Sequence, residues 1–164
     1  MIFFLIALIA FLIDQATKYW IATSLTINEQ IPVIGNFFLI TSHRNRGAAF
    51  GILQDQRWFF IVVTTVVLIG IVWYMLKIKK SGNRLLQTAL ALVLGGAVGN
   101  FFDRALTGEV VDFLQFNFGS YTFPIFNVAD SCIVVGVALI ILDSILEIRR
   151  EKQQAAEIKQ EEQV

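Results

Sequence analysis

Charge is what this chain has least of: 16% of its 164 residues are Asp, Glu, Lys or Arg, while 56% are hydrophobic. A soluble domain carries about 25% charge and about 45–50% apolar residues, so that class is excluded. With a mean hydropathy of +0.68, the chain reads as a small multi-span membrane protein. Its thirteen basic and thirteen acidic residues cancel, which removes any bulk attraction for nucleic acid and makes the position of each cation matter instead. Cysteine is nearly absent. The single Cys132 excludes an intrachain disulfide and a cysteine metal cluster, and within its apolar run it reads as a small packing residue. Histidine occurs once, as His43, with no second histidine at ligand spacing, which argues against a metal site.

What is abundant is apolar sequence in long runs. Four of them, about 2–22, 58–76, 85–103 and 125–146, approach the roughly 17–25 residues needed to cross a bilayer. The first lacks a basic leader and an Ala-x-Ala-like site and precedes three more, so it reads as a retained span, not a cleaved signal peptide. Lys77, Lys79, Lys80 and Arg84 crowd the link between spans two and three, and Arg149, Arg150 and Lys152 follow span four. The positive-inside rule then places that link and both termini in the cytoplasm, although Arg44, Arg46 and Arg57 in the first outer loop run against the bias. The outer loops, about 23–57 and 104–124, read as short strands broken near Pro32, Gly35, Gly47 and Gly119, with aromatic residues suited to a membrane surface. The expected fold is an all-α membrane protein: four transmembrane helices with a small extracytoplasmic β-rich platform, one domain over 1–148. A polar cytoplasmic tail over 149–164 reads as a frayed helix extension or as disordered.

This topology gathers the polar residues. Span one runs outward, so at 1.5 Å per residue Asp14 lies roughly 18–20 Å from the chain start, in the outer half of the bilayer. Span three ends near Asn100, Asp103 and Arg104, and span four begins near Asn127 and Asp130. With Asp112 and Lys18, these residues converge on the level of the outer leaflet. Asp143, beside Glu147 and Arg149, is the exception and reads as solvated at a helix end. Asp14 and Lys18 are i,i+4 on one face and suit an ion pair; Asn100, Asp103 and Arg104 share a face of span three. Asp112 and Asp130 have no Lys or Arg within four residues. Two such carboxyls in a poorly hydrated site can share one proton, the arrangement that activates water near neutral pH.

Plainer readings stand beside this one. Asp14 with Lys18, or Asp103 with Arg104, also suits a structural ion pair; Asp130 suits a helix N-cap, and Asp112 an exposed strand position. Ala91, Gly95 and Gly99 form a small-xxx-small series suited to close helix packing. Intramembrane carboxylates also mark proton relays, so the alternative function is a small proton-coupled transporter or channel. That class spreads ionisable groups through the bilayer depth, whereas here they sit at one face.

Five segments, in order, carry a family resemblance: Asp14-Gln15-Ala16-Thr17-Lys18; Asn45-Arg46-Gly47-Ala48-Ala49-Phe50; Gly99-Asn100-Phe101-Phe102-Asp103-Arg104; Val110-Val111-Asp112-Phe113; and Phe126-Asn127-Val128-Ala129-Asp130. The chain resembles the bacterial lipoprotein signal peptidases, or signal peptidase II, over nearly all its length except the tail. The resemblance implies a cytoplasmic-membrane aspartic endopeptidase with Asp112 and Asp130 as its catalytic dyad. Asn45, Asn100, Arg104 and Asn127 would support substrate or dyad, with Asp14, Lys18 and Asp103 as structural polar residues. It implies no metal or organic cofactor and, as partners, membrane lipids, diacylglyceryl-modified prolipoproteins cut before the lipidated cysteine, and globomycin-type cyclic peptide inhibitors.

Overall fold

The structure, a computed structural model, describes residues 2–47, 52–79 and 82–161, the last three by backbone alone. Ala48, Ala49 and Phe50 of the loop motif, and Lys80 of the basic link, lie outside the described residues. The elements run α1 (Ile2–Ser24), β1 (Gln30–Ile34), β2 (Phe38–Asn45), α2 (Arg57–Lys77), α3 (Arg84–Leu106), β3 (Val110–Phe118), β4 (Tyr121–Thr122) and α4 (Val128–Glu161). All four helices are long and apolar enough to cross a membrane. Expectation and structure agree on the class: four such helices and one small antiparallel sheet, in the order β1-β2-β3-β4.

Helix α3 is the axis of the bundle, and its small residues make it so. A side chain at Gly95 would come within 2.5 Å of the Ala7 carbonyl of α1, and one at Gly96 would strike the Ala129 carbonyl of α4. Glycine lets both neighbours approach backbone to backbone, the packing mode available where lipid removes the hydrophobic drive between helices. The buried residues of α1 are Ala7, Ala10, Asp14, Lys18 and Ile21, steps of three and four that mark one face. That face therefore carries two charges inward. Helix α2 fully buries only Met75; Leu68, Ile71 and Val72 pack partly against the bundle core, while Trp58, Val62, Val66 and Ile69 stay exposed.

The sheet caps one end of this bundle. Strands β2 and β3 pair antiparallel with His43 opposite Asp112 and Asn45 opposite Val110, and Phe38 stacks on Phe116 at 4.7 Å between ring centroids. The Phe126 carbonyl accepts from the Phe113 and Leu114 amides at 3.0 and 2.8 Å, so the chain is still tied to β3 at a point where the hydropathy pattern already suggests a span. For that reason α4 starts at Val128 instead of near 125. At its other end α4 continues to Glu161, through the segment expected to fray or be disordered.

Asp143 corrects the expectation of a solvated helix end. It is buried, and both carboxyl oxygens accept from Asn83 Nδ2, at 3.0 and 2.9 Å. Asn83 also caps α3, its Oδ1 accepting from the Leu86 amide at 3.1 Å. One side chain thus starts α3 and ties it to α4. Asn83→Ala removes the cap and two charge-assisted bonds, an expected loss of about 1–3 kcal/mol, which thermal unfolding in detergent micelles would register while activity per folded molecule stays unchanged.

Candidate active site

Asp112 and Asp130 reach the site from different layers. Asp112 lies on β3, in the sheet, and Asp130 in the first turn of α4. Both line one cavity of about 570 Å³, together with Asn45, Asn100 and Arg104. Apart from Ser131, its remaining wall is apolar, including Phe123, Ile125, Ile133 and Val134. Val134 and Phe123 are also exposed on the outer surface, so the cavity opens where apolar side chains face the surroundings.

Each carboxyl is held by amides. Asn45 Nδ2 donates to Asp112 Oδ2 at 2.9 Å and Asn127 Nδ2 to Asp112 Oδ1 at 2.7 Å. Asn45 is oriented in turn, because its Oδ1 accepts from the Gly47 amide at 2.9 Å. Asp130 Oδ1 accepts from Asn100 Nδ2 at 2.7 Å, and its Oδ2 from the Asn127 backbone amide at 3.2 Å. Asn127 returns the contact, its Oδ1 accepting from the Asp130 amide at 2.9 Å, a reciprocal capping arrangement that fixes both residues where α4 begins. Asp130 is therefore an N-terminal helix residue and a cavity carboxyl at once.

Asp112 is only 2% exposed. Burial first, and the Asp130 charge second, raise its pKa from 3.8 to about 7, against the opposing hydrogen bonds of Asn45 and Asn127 and the charge of Lys18. A carboxyl with that affinity can hold a proton near neutral pH, as a general acid in an acid–base site must.

Behind the two carboxyls lies a second, largely buried polar layer. Lys18 Nζ meets Asp14 Oδ2 at 2.8 Å and Asp103 Oδ2 at 2.7 Å, and donates to Asn100 Oδ1 at 2.9 Å. Asp14 Oδ1 accepts from the Ala129 amide of α4 at 2.8 Å. Gln15, quoted above only as a motif letter, bridges the layer by donating to Asp14, to the Gly99 carbonyl and to Asp103. Arg104 takes no part in an ion pair with its sequence neighbour Asp103, contrary to one expectation. Its Nη2 donates to the Gly47 carbonyl at 2.9 Å, its guanidinium lies over Phe60 at 4.7 Å, and its buried Nε has no hydrogen-bond partner.

The model of the family described as Signal peptidase (SPase) II matches residues 6–146. The chain belongs to the signal peptidase II family. A lipoprotein signal peptidase of Halalkalibacterium halodurans is 49% identical over 154 residues, covering 94% of this chain and 98% of that protein; the Bacillus subtilis one is 47% identical over 154 residues, covering 94% and 99%. A solved bacterial membrane enzyme, determined by the in meso method at 2.3 Å resolution, superposes with a TM-score of 0.80 at 48% identity, over 88% of this chain and 87% of that one. Membership makes this chain a membrane-embedded protease of the aspartic type.

Within the signal peptidase II frame, the residues expected from sequence fall into two groups. Asn45, Asn100, Arg104, Asp112 and Asp130 line the cavity, and Asn127 touches both carboxyls. Asp14, Lys18 and Asp103 lie behind it. The apparent lack of cations around the two carboxyls holds along the chain but not in space: Arg104 sits in the field of Asp130 and Asp112, and the Lys18 charge acts on Asp112. Sequence reasoning missed the apolar wall, because Phe123, Ile125 and Val134 look no different from other hydrophobic residues until the sheet and α4 bring them together.

Proposed function

We propose that this protein removes the signal peptide from prolipoproteins, cleaving on the N-terminal side of a diacylglyceryl-modified cysteine, with Asp112 and Asp130 as the catalytic dyad. The observation that carries the reading is the pair of amide-held carboxyls from two layers on one cavity, where the Asp130 charge helps to raise the proton affinity of Asp112. One carboxylate takes a proton from water, the water attacks the scissile carbonyl, and the protonated partner donates to the carbonyl oxygen; a proton then passes to the leaving amine. The raised affinity of Asp112 suits the donor role and leaves Asp130 as base. Asn45, Asn100 and Asn127 hold the carboxyls in place, and Arg104, a cation on the cavity wall, suits a substrate carbonyl.

The exposed apolar wall of the cavity supports lateral entry, with acyl chains of the substrate remaining among membrane lipids. Basic residues after α2 and α4 support an orientation with both termini in the cytoplasm and the dyad near the outer leaflet of the bacterial cytoplasmic membrane. Globomycin-type cyclic peptides would occupy the same cavity as competitive ligands. Purified Asp130→Asn protein, reconstituted with a diacylglyceryl-modified prolipoprotein, is expected to cleave about a thousandfold more slowly or worse, in line with general acid–base contributions. Cleavage at the parent rate would remove Asp130 from the mechanism.

A further inference from the structure

We infer that Lys18 is a positioning residue for the reaction, fixing the side-chain amide of Asn100 so that it presents its N–H to Asp130. The inference rests on the dyad reading above and extends it to a residue that touches neither carboxyl of the dyad. Lys18 is 3% exposed, and its ammonium already has two carboxylates, Asp14 and Asp103, within 2.8 Å. An ion pair needs no more than that. The third contact, 2.9 Å to Asn100 Oδ1, points toward the cavity and is the one that matters here.

An ammonium can only donate, so the end of the Asn100 amide facing it must be the oxygen. Asn127 Nδ2 approaches the same oxygen at 3.3 Å, a second donor on that side. The opposite end is then Nδ2, which lies 2.7 Å from Asp130 Oδ1. Flipping the amide would set N–H groups against the ammonium and against Asn127, and an oxygen against the Asp130 carboxyl: three repulsive contacts in place of three attractive ones. A cation on the amide oxygen also polarises the group, so its N–H becomes the stronger donor. The link continues sideways, because Asn127 Nδ2 also reaches Asp112 Oδ1 at 2.7 Å. Lys18 thus governs one carboxyl through one amide and the other through two.

The charged and titratable groups around the dyad come from every packed element: Asp14 and Lys18 from α1, His43 from β2 by its register opposite Asp112, Asp103 and Arg104 from α3, and Asp112 and Asp130 themselves. Two of these cations reach Asn100, but Arg104 Nη1 meets only its backbone carbonyl, at 3.5 Å; among the described residues, Lys18 is the cation on the side-chain amide that donates to Asp130.

The test uses the full chain in bilayers with a synthetic peptide spanning the cleavage site and carrying a diacylglyceryl cysteine. Lys18→Met combined with Asp14→Asn and Asp103→Asn removes the cation together with both counter-ions, so no unpaired charge stays buried. Its kcat is expected to fall about tenfold to a hundredfold, the scale of a small misplacement of a reacting group, while KM stays within about threefold. Asn100→Ala is expected to lower kcat similarly, and adding it to the triple variant to cost almost nothing more, since both act through one amide. Losses that multiply, or a loss confined to KM, overturn the inference. Lys18→Gln gives a second reading if the triple variant does not fold: without the charge that opposes protonation of Asp112, the alkaline limb of the pH–kcat profile moves to higher pH. A limb at the parent position overturns it too. The dyad itself is judged separately, since Asp112→Asn or Asp130→Asn protein that still cleaves defeats the dyad, whereas inactive dyad variants with independent Lys18 and Asn100 effects defeat only this inference.

Discussion

Asp112→Asn protein is expected to lose cleavage by about a thousandfold or more and yet to unfold at a higher temperature than the parent above neutral pH. The activity loss follows from removing the group that holds the proton near neutral pH. The stability gain follows from linkage. The folded chain binds the Asp112 proton more tightly than the unfolded chain, with a pKa raised from 3.8 to about 7. Between those values the unfolded chain has released its proton and the folded chain has not, so stability is fullest below about pH 4 and is lost as pH rises through about 7. At the far side of the window the buried carboxylate costs about 4 kcal/mol, taking 1.36 kcal/mol per pH unit. Asparagine carries no such cost, but one of its two ends must now face an amide donor, either Asn45 or Asn127, so a net gain of about 1–3 kcal/mol is expected. Thermal unfolding of both proteins from pH 4 to 8 checks the sign: the difference should widen with pH and level off above 7. A difference that does not change with pH would mean that Asp112 is not a strained carboxyl.

The second large effect is expected at Asp14, which never touches the cavity. Asp14→Ala takes one of two counter-ions from a buried ammonium and leaves the Ala129 amide without its 2.8 Å acceptor. Breaking a buried ion cluster on one side costs about 3–5 kcal/mol, a large part of the roughly 5–15 kcal/mol that holds a domain folded. The expected result is a fall of about 10 °C in unfolding temperature, with reduced accumulation in the membrane. Asp14→Asn keeps an oxygen for Ala129 but not the charge, and should fall between the two. Equal stability of Asp14→Ala and the parent would show that Asp103 alone satisfies Lys18.

Local periodicity made much of this legible in advance. The Asp14–Lys18 pair follows from i,i+4 spacing on one helix, and the four spans from the length of apolar runs. Asp112 and Asp130 stood out because neither had a cation nearby in sequence. What could not be read was which partner each polar group finds across the fold. The spacing pairs Lys18 with Asp14, but it also holds Asp103 and Asn100 from another helix. Asp103, beside Arg104 in sequence, pairs with α1 because the two side chains leave α3 in different directions. Asp143 was misread because a polar residue near a helix end looks solvated until a loop residue, Asn83, folds over it. The start of α4 shifted for a similar reason: hydropathy counts Ile125 and Phe126 as span, whereas backbone hydrogen bonding assigns Phe126 to the sheet.

The Asp14 bond to the start of α4 joins the first helix of the chain to the last. Translation delivers them in that order, with every other element in between. When three helices and β3 have emerged, the chain contains Asp112, Asn100 and Lys18, but Asn127 and Asp130 do not yet exist, and Asp14 has no α4 amide to accept from. An unfinished copy therefore has one carboxyl of the pair and only Asn45 of the two amides that hold it, so the two acids come together only once the last helix has been made.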